Sequence, residues 1–159
     1  MSLVEELSNT LRQKSMILVT AESCTGGMIA SAITNLAGSS DIFDRGFVTY
    51  SNTSKQEMLG VSEDILKNHG AVSAECAKAM VDGALKNSSA NIAVSVTGIA
   101  GPGGGSADKP VGLVYMGICV AGKPPKVLQH NFSGSRTDIR ENVCIAAFEA
   151  LIKEISENE

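Results

Sequence analysis

Apolar residues along this chain follow two patterns, one with the spacing of a helix and one of short continuous runs. Helical spacing and capping residues predict helices at 4–13, 26–35, 55–59, 62–68, 73–86 and 137–156. The short runs predict strands at 16–20, 46–50, 91–97, 111–120 and 126–132. Because these strands alternate with helices and end in a hairpin, the pattern predicts an α/β sandwich built on a mixed sheet.

The joint between the first strand and the second helix has a composition suited to chemistry. It reads Thr20-Ala-Glu-Ser-Cys-Thr-Gly-Gly27. A helix N-terminus offers unpaired N–H groups that attract oxyanions and phosphates, and glycine permits close approach of a ligand. Ser23 is therefore a candidate nucleophile with an anion pocket beside it. The alternative is that Ser23 caps the helix or forms the turn.

Composition limits the class of protein. The 159 residues suit a single domain over 1–159, and 43% hydrophobic with 19% charged residues excludes disorder. The net charge of −4 and the 4% aromatic content argue against a nucleic-acid partner. Without a membrane-length apolar run or a signal peptide, we expect a cytoplasmic protein with no membrane partner.

The four cysteines are Cys24, Cys76, Cys119 and Cys144, which are far apart and form no Cys-x-x-Cys pair. With only two histidines besides, the sequence has no zinc-ligand spacing. We therefore expect reduced thiols and no metal site.

A base for Ser23 has to come from lysine, because neither histidine lies in a glycine-rich loop where a Ser–His–Asp triad could form. Tyr50 ends a predicted strand and Lys55 begins the next helix, so both can face the Ser23 loop. A lysine amine accepts the serine proton when desolvation favours its neutral form. Tyr50 would then relay the proton or align the two groups. The alternative is a surface lysine beside a strand-end tyrosine.

The segment Gly98-Ile-Ala-Gly-Pro-Gly-Gly-Gly-Ser106 follows a predicted buried strand. It fits neither the P-loop nor the Gly-x-Gly-x-x-Gly pattern, so it predicts no ATPase and no dinucleotide oxidoreductase. It is either a flexible surface loop or a loop whose backbone approaches substrate. Ser106 and Lys109 match Ser-x-x-Lys by coincidence, because three glycines precede the serine and Pro110 follows the lysine.

Two arginines, Arg136 and Arg140, lie at the start of the last predicted helix, on one face of it. A guanidinium at a helix start is a candidate phosphate ligand. The alternative is that one or both pair with surface carboxylates.

Five motifs together resemble the CinA C-terminal domain family, which includes nicotinamide-nucleotide amidohydrolases. They are Thr20-Ala-Glu-Ser-Cys-Thr-Gly-Gly27, Arg45-Gly-Phe-Val-Thr-Tyr-Ser-Asn52, Gly70-Ala-Val-Ser73, Thr97-Gly-Ile-Ala-Gly-Pro102 and Lys109-Pro-Val-Gly112. The resemblance covers nearly the whole chain in order. It implies a three-layer α/β/α sandwich with a mixed, mostly parallel sheet, often as a homodimer. It also implies hydrolysis of nicotinamide mononucleotide to nicotinate mononucleotide and ammonia, in pyridine nucleotide recycling, without a cofactor or metal.

The resemblance also implies roles for particular residues. The family's nucleophile, tyrosine and lysine fall on Ser23, Tyr50 and Lys55, and its arginine falls on Arg136. This arginine follows Gly-Ser here, where relatives often have Gly-Asp. The substrate-binding residues that we expect are Thr25, Gly26, Gly27, Thr97, Gly98, Gly101 and Arg136, with backbone N–H groups at 25–27 holding the oxyanion. Two alternatives stay open: a non-catalytic nucleotide-binding module, and an amidase of another carboxamide.

Overall fold

A computed structural model describes residues 1–158 of the chain. Its helices are α1 (Leu3–Gln13), α2 (Met28–Thr34), α3 (Asn52–Leu59), α4 (Glu63–Asn68), α5 (Ala74–Lys86) and α6 (Arg136–Glu157). Its strands are β1 (Leu18–Glu22), β2 (Phe43–Val48), β3 (Ile92–Gly98), β4 (Leu113–Val120) and β5 (Lys126–Asn131). No helix within 1–158 is long and apolar enough to cross a membrane.

The five strands form one mixed sheet in the order β2-β1-β3-β4-β5. β1 pairs in parallel with β2 and β3, whereas β4 runs antiparallel to both β3 and β5. Only β4 therefore runs against the direction of the other strands, and the mixed, mostly parallel sheet predicted from the family is confirmed. The carboxyl ends of β1, β2 and β3 meet at one edge of the sheet.

Two hydrophobic cores lie on opposite faces of the sheet. On one face α1, α2 and α6 pack over Leu18, Val94 and Met116. On the other face α3, α4 and α5 pack over Val19 and Ala93. Neighbouring residues such as 18 and 19 belong to different cores because side chains alternate across a strand. The three-layer α/β/α architecture is confirmed.

The ends of β1 and β2 differ from the sequence prediction. β1 was predicted at 16–20 and continues to Glu22, because Ala21 and Glu22 pair in register with Ser95 and Val96 of β3. β2 was predicted at 46–50 and occupies Phe43–Val48. It is an edge strand, where the charged Asp44 and Arg45 are tolerated and hide the strand pattern. Residues 49–51 consequently form the turn into α3.

Serine side chains begin most of the helices. Ser2 and Ser135 form capping boxes with Glu5 and Asp138, while Ser62 and Ser73 cap α4 and α5 as predicted. The cap of α3 is Ser51, so this helix begins before the predicted range of 55–59. Lys55 still lies in the first turn of α3, as predicted, even though the helix begins earlier than expected.

Gly83 allows α5 to pack closely against the end of α3, the helix that carries Lys55. A methyl group at this position would lie 1.9 Å from the Leu59 carbonyl oxygen. Alanine favours a helix by about 1 kcal/mol, but overpacking against rigid backbone costs about 3 kcal/mol or more. We therefore expect Gly83→Ala to lower the free energy of unfolding by about 2 kcal/mol in urea denaturation. Gly103→Ala is the matched control, since nothing lies within 4 Å of its added methyl; equal stability of both variants would contradict this packing.

Candidate active site

Ser23 and Lys55 meet at the sheet edge where β1 and β2 end. The Lys55 Nζ lies 3.0 Å from the Ser23 Oγ, and Ser23 and Lys55 are only 8% and 1% exposed. Ser23 directly follows β1, and α3 brings Lys55 back over the same edge from the turn after β2. The sequence predicted this juxtaposition. The contact has the hydrogen-bond length that a nucleophile and its base require.

The surroundings of Lys55 favour an uncharged amine. Besides Ser23, its Nζ contacts two neutral acceptors, the carbonyl oxygens of Thr49 at 2.7 Å and Tyr50 at 3.4 Å. Burial lowers the pKa of Lys55 from its ordinary value, because the charged form loses hydration. A neutral amine has two N–H donors and one lone pair. With the donors on the two carbonyls, the lone pair is left for the Ser23 hydroxyl.

Cys24 is adjacent to Ser23 and is the other nucleophilic side chain of the turn. Burial raises the pKa of Cys24 to about 11, and it does the same for Cys76 near Lys55. Both thiols are therefore protonated at neutral pH and are poor nucleophiles. All four cysteines are free, as expected. No group of three or more potential metal-ligating side chains occurs within residues 1–158.

The N-terminus of α2 is filled by a carboxylate of the protein itself. Glu22 is 1% exposed, and its oxygens accept hydrogen bonds from the Thr25 hydroxyl and from the N–H groups of Ile29 and Ala30, at 2.6, 2.9 and 3.0 Å. The N–H groups of Ile29 and Ala30 are therefore not available to an external anion, and the anion pocket expected beside Ser23 stays a prediction for the turn at 25–27. Glu22 already satisfies the donors and the partial positive charge that would attract one.

The turn that follows Ser23 keeps other donors free. The N–H of Gly26 donates to the Ser23 carbonyl at 3.1 Å, and that of Met28 donates to the Thr25 carbonyl at 3.0 Å. The N–H groups of Thr25 and Gly27 have no partner among residues 1–158. Gly26 and Gly27 take the left-handed conformation with φ of 59° and 104°, which lets the chain turn sharply into α2.

Arg136 and Arg140 pair with no carboxylate in the described range 1–158, although pairing with surface carboxylates was the alternative weighed for them. Arg136 donates to the Gly101 carbonyl at 2.8 Å and to the Tyr50 hydroxyl at 3.1 Å. Arg140 is partly buried and donates to the carbonyls of Cys24 at 3.0 Å and Thr25 at 3.2 Å. Both arginines thus connect α6 to loops of the candidate site.

Tyr50 is placed differently from the relay that the sequence suggested. Its side chain is 63% exposed, and its hydroxyl accepts from Arg136. Lys55 contacts the backbone carbonyl of Tyr50 and not the phenol. Because β2 ends at Val48, Tyr50 lies in the turn and its ring is exposed. Its phenol therefore does not lie between Lys55 and Ser23, where a direct proton relay would need it.

The glycine-rich loop lies beside the candidate site. Thr97 is 1% exposed and donates to the Ala71 carbonyl at 2.8 Å, which ties β3 to the turn before α5. Gly98 lacks room for a side chain, since a methyl there would lie 2.5 Å from a Val114 methyl. This glycine therefore serves sheet packing. Gly101 offers its carbonyl to Arg136.

The second serine–lysine pair does not form a dyad. The Ser106 hydroxyl accepts from the backbone N–H of Lys109 at 3.1 Å, whereas the Lys109 amine donates to the His69 carbonyl. The interpretation of this Ser-x-x-Lys spacing as coincidence agrees with these contacts.

Two parts of the site were not predicted from the sequence, the carboxylate of Glu22 and the contacts of Arg140 with the Ser23 turn. The signal for Glu22 was an acidic residue between an apolar strand and a helix start, where a carboxylate stabilises the helix dipole. No local pattern could show the Arg140 contacts, because its partners lie 116 and 115 residues away.

Known proteins align with nearly all of this chain. It is 49% identical to the nicotinamide-nucleotide amidohydrolase PncC of Enterobacter agglomerans, over 96% of this chain and 93% of that protein. It is 50% identical to a longer relative from Caldicellulosiruptor bescii over 96% of this chain, and spans 37% of that relative's length.

Solved structures agree with the fold. The competence/damage inducible protein CihA from Agrobacterium tumefaciens matches with a TM-score of 0.90 and 46% identity, covering 96% of each chain. The competence damage-inducible protein A from Klebsiella pneumoniae matches with a TM-score of 0.95 and 32% identity, covering 99% of this chain and 97% of that one. The CinA C-terminal domain family matches residues 1–155. This chain therefore belongs to the CinA C-terminal domain family.

Proposed function

We propose that this chain hydrolyses the carboxamide of nicotinamide mononucleotide, giving nicotinate mononucleotide and ammonia. The observation that carries the proposal is the 3.0 Å contact between the buried Lys55 amine and the Ser23 hydroxyl. The amidohydrolase name of the Enterobacter agglomerans relative supports this substrate. The reaction serves pyridine nucleotide recycling in the cytoplasm and needs no cofactor, and the enzyme acts as a homodimer of single-domain chains.

In the proposed mechanism, neutral Lys55 removes the hydroxyl proton while the Ser23 oxygen attacks the amide carbon. The resulting ammonium of Lys55 returns this proton to the amide nitrogen, the C–N bond breaks, and ammonia leaves. Lys55 is then neutral again and activates a water molecule, which hydrolyses the acyl-serine ester and restores the Ser23 hydroxyl. The carbonyls of Thr49 and Tyr50 hold the amine in position throughout.

The tetrahedral intermediate carries negative charge on the former amide oxygen. Its donors in this proposal are the backbone N–H groups near Thr25 to Gly27, of which those of Thr25 and Gly27 have no partner among residues 1–158. Glu22 holds the start of α2, so the oxyanion does not bind there. The turn itself supplies the donors.

The nucleotide part of the substrate extends along the sheet edge in our proposal. Thr97, Gly98 and Gly101 shape the pocket for the nicotinamide and ribose, and the exposed guanidinium of Arg136 binds the phosphate. Tyr50 acts from the substrate side, where its hydroxyl meets Arg136, rather than as a proton relay.

Ammonia release tests the proposal directly. Incubation with nicotinamide mononucleotide should release one ammonia for each nicotinate mononucleotide formed. A panel of carboxamides, including nicotinamide riboside and nicotinamide, then measures specificity as kcat/KM. Binding without ammonia release would favour a non-catalytic module, and faster turnover of an unphosphorylated carboxamide would favour a different amidase.

Removing the Arg136 guanidinium should weaken substrate binding more than catalysis. A charge-assisted contact to phosphate contributes about 1.5–3 kcal/mol, so we expect Arg136→Ala to raise KM for nicotinamide mononucleotide by about 10–100-fold. The kcat/KM for nicotinamide riboside, which has no phosphate, should change little. Steady-state kinetics with both substrates checks this, and an equal loss for both would remove Arg136 from the phosphate site.

A further inference from the structure

The two carbonyls held by Arg140 belong to the turn that immediately follows Ser23. Its Nε donates to the Cys24 carbonyl at 3.0 Å and one terminal nitrogen donates to the Thr25 carbonyl at 3.2 Å. The planar guanidinium thereby fixes two successive peptide groups at once. A part-buried arginine that donates to backbone carbonyls restricts the conformation of that backbone.

The orientation of one carbonyl determines the orientation of the N–H in the same peptide group. In a trans peptide these two groups point in opposite directions, and the cis peptide bond that the structure describes lies elsewhere, at Gly101-Pro102. When Arg140 holds the Cys24 carbonyl toward α6, the Thr25 N–H is directed away from α6. This N–H has no partner within residues 1–158.

The side facing away from α6 is the side on which the candidate chemistry lies. Glu22 contacts α2, which packs with α6 on one face of the sheet, whereas Ser23 contacts Lys55 of α3 on the other face. The Thr25 N–H therefore points away from the layer of Arg140, and the Ser23–Lys55 contact lies in the opposite layer. Glu22 fixes the same turn from the other end, because it accepts from the Thr25 hydroxyl at 2.6 Å.

We propose that Arg140 is a positioning residue, which holds the Thr25 N–H as a preset donor to the oxyanion formed when Ser23 attacks. The inference rests on the proposed amidohydrolase function. Arg140 does not touch substrate, and it acts through the Cys24–Thr25 peptide group. Its loss should therefore weaken the transition state and leave substrate binding nearly intact.

The test is the kinetics of Arg140→Ala with nicotinamide mononucleotide. Loss of one oxyanion donor lowers kcat by about 100-fold or more, and we expect this fall with KM within about threefold of the parent value. Guanidinium chloride at low millimolar concentration should restore part of kcat by occupying the vacated position, whereas ammonium chloride should not. Arg12→Ala is the matched control, since Arg12 binds Asp41 on the surface and its loss should change neither kcat nor the response to guanidinium.

Arg140→Lys keeps a cation with at least one donor, so it should fold and lose about tenfold in kcat. An unchanged kcat in both variants, or a loss confined to KM, would overturn the inference. A fall in kcat that guanidinium does not reverse would assign Arg140 to general stability instead. If the parent protein releases no ammonia from nicotinamide mononucleotide, the proposed function itself fails, which is a different outcome from an active parent with an indifferent Arg140→Ala.

Discussion

Ser23→Ala is expected to abolish ammonia release from nicotinamide mononucleotide, with kcat falling by about 10⁴-fold or more. The methyl group cannot form the acyl-enzyme, and water has no preset position from which to replace the Ser23 oxygen. Substrate affinity should stay within about threefold of the parent, because the lost hydroxyl is small and the phosphate contact that we propose lies at Arg136. Stopped ammonia assays give kcat, and calorimetric titration of the inactive variant gives the dissociation constant.

Ser106→Ala is the matched control for the nucleophile. Ser106 is exposed, precedes Lys109 by three residues and accepts from its N–H, so it is the other serine with a lysine at the spacing of a known dyad. Its replacement should leave kcat unchanged. Full turnover by the Ser23 variant would eliminate Ser23 as the nucleophile. Inactivity of the Ser106 variant would instead indicate a catalytic role for the glycine-rich loop.

The second large effect is expected at Lys55. Lys55→Met is unbranched, lacks only the terminal atom's length and removes the proposed base, so we expect kcat to fall by about 10³-fold or more at neutral pH. Lys126→Met is the matched control, because that amine forms an ion pair with Glu154 on the surface. It should retain full activity. Comparable rates for the parent and Lys55→Met would show that another group accepts the Ser23 proton.

Stability should change in the opposite direction from activity in the Lys55 variant. Burial lowers the pKa of Lys55 in the folded chain below its unfolded value, so between these two values the unfolded chain binds more protons. Parent stability attributable to this group is therefore greatest above the unfolded pKa and falls as pH drops through the folded pKa. Urea unfolding should show Lys55→Met more stable than the parent at neutral pH, with the gap closing toward high pH.

The same ionisation should appear in the activity of the parent protein. The base works when it is neutral, so kcat should rise with pH through a pKa below the ordinary lysine value. A kcat that is flat from acidic to alkaline pH would contradict a titrating amine as the base.

Much of the fold could be predicted from the sequence because its signals are local. The apolar run of β3, the serine before α5 and the amphipathic pattern of α6 each depend on neighbours within a few residues. The Ser23–Lys55 juxtaposition followed from topology, because both residues come just after strands that end at the same sheet edge. The residues made Ser23 and Lys55 candidates for nucleophile and base, the family resemblance favoured these roles over the alternatives, and the roles stay predictions.

The remainder depended on tertiary contacts that no local pattern contains. Glu22 is a buried carboxylate in a strand, which the polarity of the sequence argues against, and its cost of burial is offset by three donors from the turn and α2. The outward position of Tyr50 depends on where β2 ends. β2 is an edge strand whose charged residues conceal its bounds.

Glu22 and Ser23 face opposite sides of the sheet, so the site depends on the number of residues in β1. Adjacent residues of an extended segment face opposite layers, so inserting or deleting one residue within β1 would exchange their destinations. The carboxylate would meet the amine of Lys55, and the hydroxyl would face α2. We therefore expect a change of length within β1 to disrupt the site, whereas the exposed tip at 103–105 lies outside this alternation.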